Sequence, residues 1–455
     1  MNTPIKTVAA FILISTASAA SFGDVISDIR SSVKDNWRKL TKRSAEIGDL
    51  REERKSLPDR SWWFFTTDKR DQDAKIRERL MAVRELLLST NARKILEDVD
   101  ELDEDLAELD EESLSVRVEG LRPATRYWYR TITTPFTDYK SIYNAKLGEP
   151  IVSEAHSFTT LGAGAAAHFC VINDTHAKWE PFEMVVAKAK SLAPSAIVWN
   201  GDATNTTQDK RTAAEIFLDP PIATKDWSSD IPVCFESGNH DFRGSWISKK
   251  EEVMFARHPA ERRGDQWDLK WNFAVRLGDL AMIGMDTGED KPDGHPKWFG
   301  LANFEPYRKA QAKWLEEALM RPDIAQAKFK VLFCHIPLFA AKDHPDYPHD
   351  GVKIDPNDYA YWSRECHDLW APILEKAGVQ LVIAAHKHRF RYDAPTKDRK
   401  WAQIVGGGPA LGVARGKADA GLFPTVIEGK VEGGKLVVTV HDVFNGRIAG
   451  TYAYD

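Results

Sequence analysis

Seven residues scattered along the chain have the chemistry of metal ligands. They are Asp174 and His176 in N-D-T-H, Asp202 in N-G-D, Asn239 in G-N-H-D, His335 in F-C-H-I-P, and His386 and His388 in A-A-H-K-H. Together they supply carboxylates, an amide and imidazoles. Mixed nitrogen and oxygen donors suit zinc, iron or manganese better than calcium. A carboxylate can bridge two cations held roughly 4 Å apart, as two-metal hydrolases require. Two such ions bind phosphate oxygens, lower the pKa of a bound water and stabilise an in-line displacement. Each cluster alone is a weak signal, because a lone D-x-H or H-x-H arises by chance and a lone His after a strand is usually a satisfied core residue. G-N-H-D is stronger, since packing gives no reason for Asn and His to be adjacent there.

The clusters gain force from what precedes them. Each follows a short apolar run that reads as a buried strand. The strand candidates are His168–Ile172, Ala196–Asn200, Ile231–Phe235, Leu280–Met285, Phe329–Cys334 and Val379–Ala384. Helical stretches intervene at Phe182–Leu192, Tyr307–Leu319 and Cys366–Lys376. Strands alternating with helices imply a layered α/β fold. Ligands at the carboxyl ends of parallel strands converge on one edge of such a sheet. After His388 the chain turns strand-rich at Ile404, Val426–Ile427, Leu436–Val440 and Gly450–Tyr454, which fits a second sheet packed on the first.

Upstream the organisation differs. Lys6 is the only charge in Met1–Ala20, and an apolar run, Val8–Ile14, leads to Ala17-Ser18-Ala19. This pattern predicts a cleaved signal peptide over 1–20 and a mature protein that is secreted or periplasmic, beginning near Ala20 or Ser21. The run is too short for a membrane span, which takes about 20 apolar residues. Ile26, Val33, Leu40 and Ile47, then Leu88, Ile95, Leu102 and Leu109, recur at heptad spacing. They predict a helical hairpin over 21–112, a candidate surface for self-association or a partner. From Ser113 the period becomes two. Leu121–Tyr129 resembles the L-x-P-x-T-x-Y-x-Y turn of fibronectin type III domains, which implies a partial β-sandwich over 113–161. A small-residue linker, Leu161–Ala167, then leads into a catalytic domain over 166–455.

With this arrangement, the order D-x-H, G-D, G-N-H-D, H, H-x-H resembles the calcineurin-like metallophosphoesterase superfamily, and the upstream segment resembles its purple acid phosphatase branch. The resemblance implies a four-layer α/β/β/α sandwich preceded by the helical hairpin and the fibronectin-like segment. It implies one cation on Asp174, His176 and His388, a second on Asn239, His335 and His386, and Asp202 between them. His240 would touch the leaving-group oxygen as general acid or transition-state donor, and Asp241 would orient its other ring nitrogen. Asn173 and Ala385 stand where the family usually has Gly. Asn205 stands where purple enzymes have the Tyr that binds iron(III), so no purple colour is expected.

Composition limits the alternatives. The net charge of -6 gives no signal for nucleic acid or an anionic membrane. Of the four cysteines, Cys170, Cys234 and Cys334 lie in apolar runs and Cys366 in a helical stretch, and all read as small hydrophobes. The expectation is an exported dinuclear-metal phosphoesterase, acting on phosphate monoesters or diesters through a metal-bound hydroxide with two divalent or mixed-valence ions of Mn, Zn or Fe. Two other readings stay open: a surface-binding or adhesion protein that uses its helices and fibronectin-like region, and hydrolysis of a non-phosphate ester. Arg243 could clamp a phosphate or be a surface residue. Trp179, Trp246, His295 and His344 could border the site.

Overall fold

The computed structural model describes residues 7–11, 118, 120–141, 144–207, 210–224, 226–244, 269, 271–295, 298, 302–339, 359–409 and 421–455. The expected helical hairpin, nearly all of the strand expected at Ser113–Val118, Trp246 and His344 lie outside these residues. The chain divides into two units, the first made of Met1–Arg60, Asp68–Leu114 and Arg130–Glu154. Six strands come first: β1 (Thr7–Phe11), β2 (Arg126–Tyr129), β3 (Ile132–Ser141), β4 (Asn144–Leu147), β5 (Ile151–Val152) and β6 (His156–Thr159). In the first unit, β3 pairs antiparallel with β1, β4 and β5.

The second unit holds the rest. Here β2 and β6 form an antiparallel ribbon. Its corner is closed by Tyr127, whose hydroxyl oxygen accepts the Arg122 N–H at 2.9 Å. The catalytic-type core follows: β7 (His168–Ile172), α1 (Trp179–Ser191), β8 (Ala196–Asn200), α2 (Lys210–Phe217), β9 (Val233–Glu236), β10 (Phe273–Leu277), β11 (Leu280–Met285), α3 (Phe304–Met320), α4 (Pro322–Ala325), β12 (Phe329–Cys334), α5 (Tyr359–Lys376), β13 (Leu381–Ala384), β14 (Arg391–Asp393), β15 (Ala402–Val405), β16 (Thr425–Glu432), β17 (Lys435–Asp442) and β18 (Arg447–Tyr454).

These strands build two six-stranded sheets, in the orders β18-β17-β16-β7-β8-β9 and β10-β11-β12-β13-β15-β14. The centres are parallel: β7, β8 and β9 in one sheet, β11, β12, β13 and β15 in the other. Side-chain alternation explains why the central strands are apolar throughout. Phe169, Val171, Ala196 and Val198 point between the sheets, where they meet Val331, Phe333, Leu381 and Ile383. Their neighbours Cys170, Ile172, Ile197 and Trp199 face α1 and α2. On the far side, Leu332, Cys334, Val382 and Ala384 face α3 and α5. A strand covered on both faces must be apolar at odd and even positions alike. Each large side chain so buried contributes about 1.5–3 kcal/mol. The result is the expected α/β/β/α four-layer order.

Sequence patterning places β7, β8, β11 and β12 with the observed bounds. Strand β9 starts two residues later than the apolar run suggests and ends one residue later, on the fully buried Glu236. Helix α3 begins three residues earlier than its apolar stripe. A distant carboxylate causes this: Asp293 accepts the N–H groups of Phe304 and Glu305 at 2.8 and 3.0 Å. Strands β10 and β14 were not expected. All four cysteines are buried free thiols.

Candidate metal centre

Every singled-out ligand sits at the carboxyl end of a parallel strand. Asp174 and His176 follow β7, Asp202 follows β8, Asn239 follows β9, His335 follows β12, and His386 and His388 follow β13. Loops continue the pairing past the strand ends. The Asp174 N–H donates to the Gly201 carbonyl at 3.0 Å and the His176 N–H to the Asp202 carbonyl at 2.9 Å. Asp174, His176, Asp202, His386 and His388 all have positive φ, between 48° and 71°. Asp and His tolerate the left-handed region better than most residues, but it still costs about 1–2 kcal/mol each. Such strain gathers at functional sites, where it aims side chains inward. Gly201, with φ 77°, lies where a Cβ would come 2.5 Å from both His335 Nδ1 and the Gly238 N. That explains the glycine before Asp202.

The seven donors converge. Asp174, His176, Asp202 and His388 form one group and Asp202, His335 and His386 a second, with ligand atoms inside each group within 4.8 Å of one another. Asp202 belongs to both. His388 Nε2 lies 3.3 Å from Asp174 Oδ1, and His176 Nε2 lies 2.9 Å from His388 Nε2 and 3.4 Å from Asp202 Oδ2. On the other side, His335 Nε2 is 3.2 Å from Asp202 Oδ2. Asn239 joins through its Oδ1, 2.9 Å from His386 Nδ1.

The donor set fits divalent cations on its own evidence. His335 is wholly buried, and its Nδ1 faces the Asn200 carbonyl at 3.0 Å, so Nδ1 carries the proton. Its Nε2 has no hydrogen-bond partner despite the nearby Asp202. A buried lone pair aimed at two carboxylates is the disposition of a ligand whose outer nitrogen is tied back. Burial works against the Asp202 carboxylate, yet His335 and His176 hold it well below the usual range. Burial likewise opposes Asp174, which His388 and His335 hold below its ordinary value. Burial opposes charge on His335 too, but Asp202 and Asp174 push it up to about 10. A proton there stands in for the positive charge that the two carboxylates demand.

His240 lies beside this cluster, its ring 4.9 Å from that of His176 and nearly perpendicular to it. Burial, Arg243 and His176 push His240 down to about 4, against the pull of Asp202. The role expected for Asp241 is corrected. Its buried carboxylate accepts the backbone N–H groups of Gly238 and Thr204 at 2.9 and 3.0 Å, so it shapes the loops around Asp202. The group facing His240 Nδ1 is the Asn205 carbonyl, at 3.1 Å. Sequence reading misses this contact because a backbone carbonyl carries no residue signature. Arg243 is not a surface residue: its side chain is 11% exposed and held by Glu289.

Two other contributors were missed. Asn200 Nδ2 donates to the Cys334 and Ile383 carbonyls, both at 3.2 Å, and so ties β8 to β12 and β13 of the other sheet beside His335. Asn173 Nδ2 donates to Asp174 Oδ2 at 2.7 Å and to the Gly407 carbonyl at 3.1 Å. An asparagine beside the first ligand was visible in the sequence, but the loop after β15 that it reaches was not. Trp179 opens α1 and packs on the apolar cluster beneath it, and the His295 ring lies 5.8 Å from Trp298.

Known proteins resemble this chain in part. Rat serine/threonine-protein phosphatase CPPED1 is 22% identical over 196 residues, 43% of this chain and 54% of that protein. Its mouse counterpart is 22% identical over 160 residues, 35% of this chain and 42% of that protein. The chain thus spans about half the length of the curated relatives it matches. Purple acid phosphatase PPD1 from yellow lupin (Lupinus luteus) seeds superimposes with a TM-score of 0.48 and 12% identity, over 74% of this chain and 60% of that one. Residues 167–390 match the calcineurin-like phosphoesterase family, whose profile spans the β7-to-β13 core and all seven donors. The chain therefore carries a calcineurin-like phosphoesterase domain.

Proposed function

We propose that this protein is an exported phosphoesterase that hydrolyses phosphate monoesters or diesters with two divalent cations of manganese, zinc or iron. The observation that carries the reading is the convergence of six donors from four strand ends into two groups sharing Asp202, with Asn239 Oδ1 beside His386 at 2.9 Å. Asp174, His176 and His388 would hold one cation, Asn239, His335 and His386 the second, with Asp202 common to both. When bound, the cations supply charge for phosphate oxygens and acidify water. The chain supplies the rest. The Asn200 carbonyl fixes His335 with its Nε2 inward. Asn173 and the His386 N–H hold Asp174 Oδ2, the latter at 3.1 Å. His240 offers a ring nitrogen at the edge of the cluster for the departing alcohol.

Export rests on the charge-poor, apolar start of the chain, and N-terminal mass analysis of secreted material should find a first residue near Ala20 or Ser21. The Tyr127 corner supports a fibronectin-like reading of 113–161. The deciding experiment pairs elemental analysis with turnover of aryl phosphate monoesters and diesters. Two metals per chain, and turnover lost in Asn239→Ala, are expected. Fewer than two metals with no turnover after reconstitution with manganese, zinc or iron would sink the reading.

A further inference from the structure

The Arg243–Glu289 pair is built more firmly than a surface ion pair needs. Arg243 donates from Nε and Nη2 to the two oxygens of Glu289, at 2.8 and 3.0 Å, and Glu289 is fully buried. This fork fixes the guanidinium plane. The remaining terminal nitrogen, Nη1, is 3.0 Å from His240 Nε2 and 3.1 Å from His240 Nδ1. Near-equal distances exclude a hydrogen bond along either lone pair. In the ring plane, a point equidistant and so close would overlap Cε1. Nη1 therefore lies over the Nδ1–Cε1–Nε2 edge of the ring. His176 packs against the same imidazole.

The opposite constraint comes from Asn205. Its carbonyl can only accept, so His240 Nδ1 carries a proton and donates. Nε2 is left as the ring nitrogen for a bound ester: carrying a second proton taken from water, it would pass that proton to the departing oxygen, which leaves as the alcohol while the ring returns to its neutral Nδ1–H form. Three contacts thus fix one ring: the Arg243 Nη1 over it, a carbonyl at Nδ1 and the candidate ligand His176 against it. Glu289 is 46 residues from Arg243 in sequence, which hides the pair from any motif.

We propose that Arg243, clamped by Glu289, is a positioning residue that holds the His240 ring with Nε2 presented to the leaving group of the substrate. The inference rests on the phosphoesterase reading above. It predicts that Arg243 acts through His240 and not by binding phosphate itself. The test compares wild type, R243K, R243A, H240Q and the double variant H240Q/R243A on 4-nitrophenyl phosphate and on phenyl phosphate, whose leaving group is poorer. R243A leaves Glu289 buried without its cation, so R243A/E289Q is made alongside to keep a folded comparison.

In R243A and R243A/E289Q, kcat should fall about 10–100-fold with KM nearly unchanged, part of the 10²–10⁴ that a positioned acid–base group supplies. R243K keeps the charge but not the fork, and should resemble R243A. The loss should be larger on phenyl phosphate. H240Q/R243A should be no slower than H240Q, because residues acting as a unit are not additive. Metal content should not change. Independently of turnover, ¹⁵N spectra of histidine-labelled protein should show one Nδ1–H tautomer for His240, assigned by its loss in H240Q, and tautomer averaging in R243A. Losses that multiply in the double variant, a loss confined to KM, or His240 signals unmoved in R243A would overturn the proposal. A metal-loaded wild type inactive on both phosphates would sink the phosphoesterase reading alone, and the ring signals would still decide the positioning claim.

Discussion

Gly238→Ala tests how tightly the loops must approach to place Asp202. Gly238 is the glycine of G-N-H-D, and a Cβ built there falls inside contact distance of the Asp202 N and Oδ1 and 2.9 Å from its Cγ. The first obstacle is backbone, which cannot rotate away. Ordinary contact starts at 3.4 Å, so Asp202 must retreat by roughly 0.5 Å at Cγ and further at its amide. The His240 N–H donates to Asp202 Oδ1 at 2.8 Å, so His240 is dragged along. Overpacking of this kind costs about 1–3 kcal/mol. Displacing the carboxylate shared by both donor groups should weaken metal affinity by about 10–100-fold, as lost orienting contacts do. The assays are urea denaturation of metal-free protein and calorimetric titration with manganese or zinc. Gly294→Ala, where a Cβ meets nothing within 4 Å, is the control and should stay within about 0.5 kcal/mol of wild type. If Gly238→Ala matched that control in both assays, close approach would not be what fixes Asp202.

Three further outcomes are expected. Trp199→Ala removes a ring packed on Phe182, Phe217, Trp227 and Phe235 beneath the site, and should cost about 3–5 kcal/mol in urea unfolding while the donor set stays in place. Asn200→Ala leaves the Cys334 and Ile383 carbonyls without their cross-sheet donor and should cost about 1–3 kcal/mol, whereas a loss below 0.5 would show that water replaces the amide. Glu428 is bonded by His168 at 2.9 Å and His441 at 3.0 Å. Burial opposes its carboxylate, but the two imidazoles hold it below the ordinary value. A depressed folded value means stability that is present above the unfolded value and lost as pH falls through the folded one. Wild type should therefore lose more stability than Glu428→Gln as pH falls from about 5 to about 3, from the ordinary glutamate value downward, and parallel melting curves across that range would contradict the assignment.

How much of this was legible depends on where the information sits. Strands β7, β8, β11 and β12 were readable to the residue because both faces are covered, which leaves long apolar runs with polar stops. The donors were readable because Asp, Asn and His at those stops have no packing explanation. What escaped is carried by the backbone or by distant partners. Asn205 acts on His240 through its carbonyl, so its side-chain identity gave no hint. The start of α3 is set by Asp293, eleven residues upstream of Phe304. Asp241 looked like a partner for His240 by adjacency in sequence, but a 3₁₀ turn at His240–Phe242 sends its carboxylate back to the amides of Gly238 and Thr204. Neighbours in sequence are seldom neighbours in a tight turn.

The donor positions are strained and buried, so a bound cation would couple to folding. Five donor positions carry left-handed backbone, and two carboxylates are fully removed from water. Protons on imidazoles are the charge compensation the chain supplies itself, as at His335. The strain is tolerable only because two double-covered sheets lie directly beneath. A cation that binds the folded state alone adds stability by mass action, about 2.7 kcal/mol at a hundredfold excess over its dissociation constant. The geometry that strains these five positions also holds the donors ready, since no ligand has to be gathered from an unfolded loop when a metal binds.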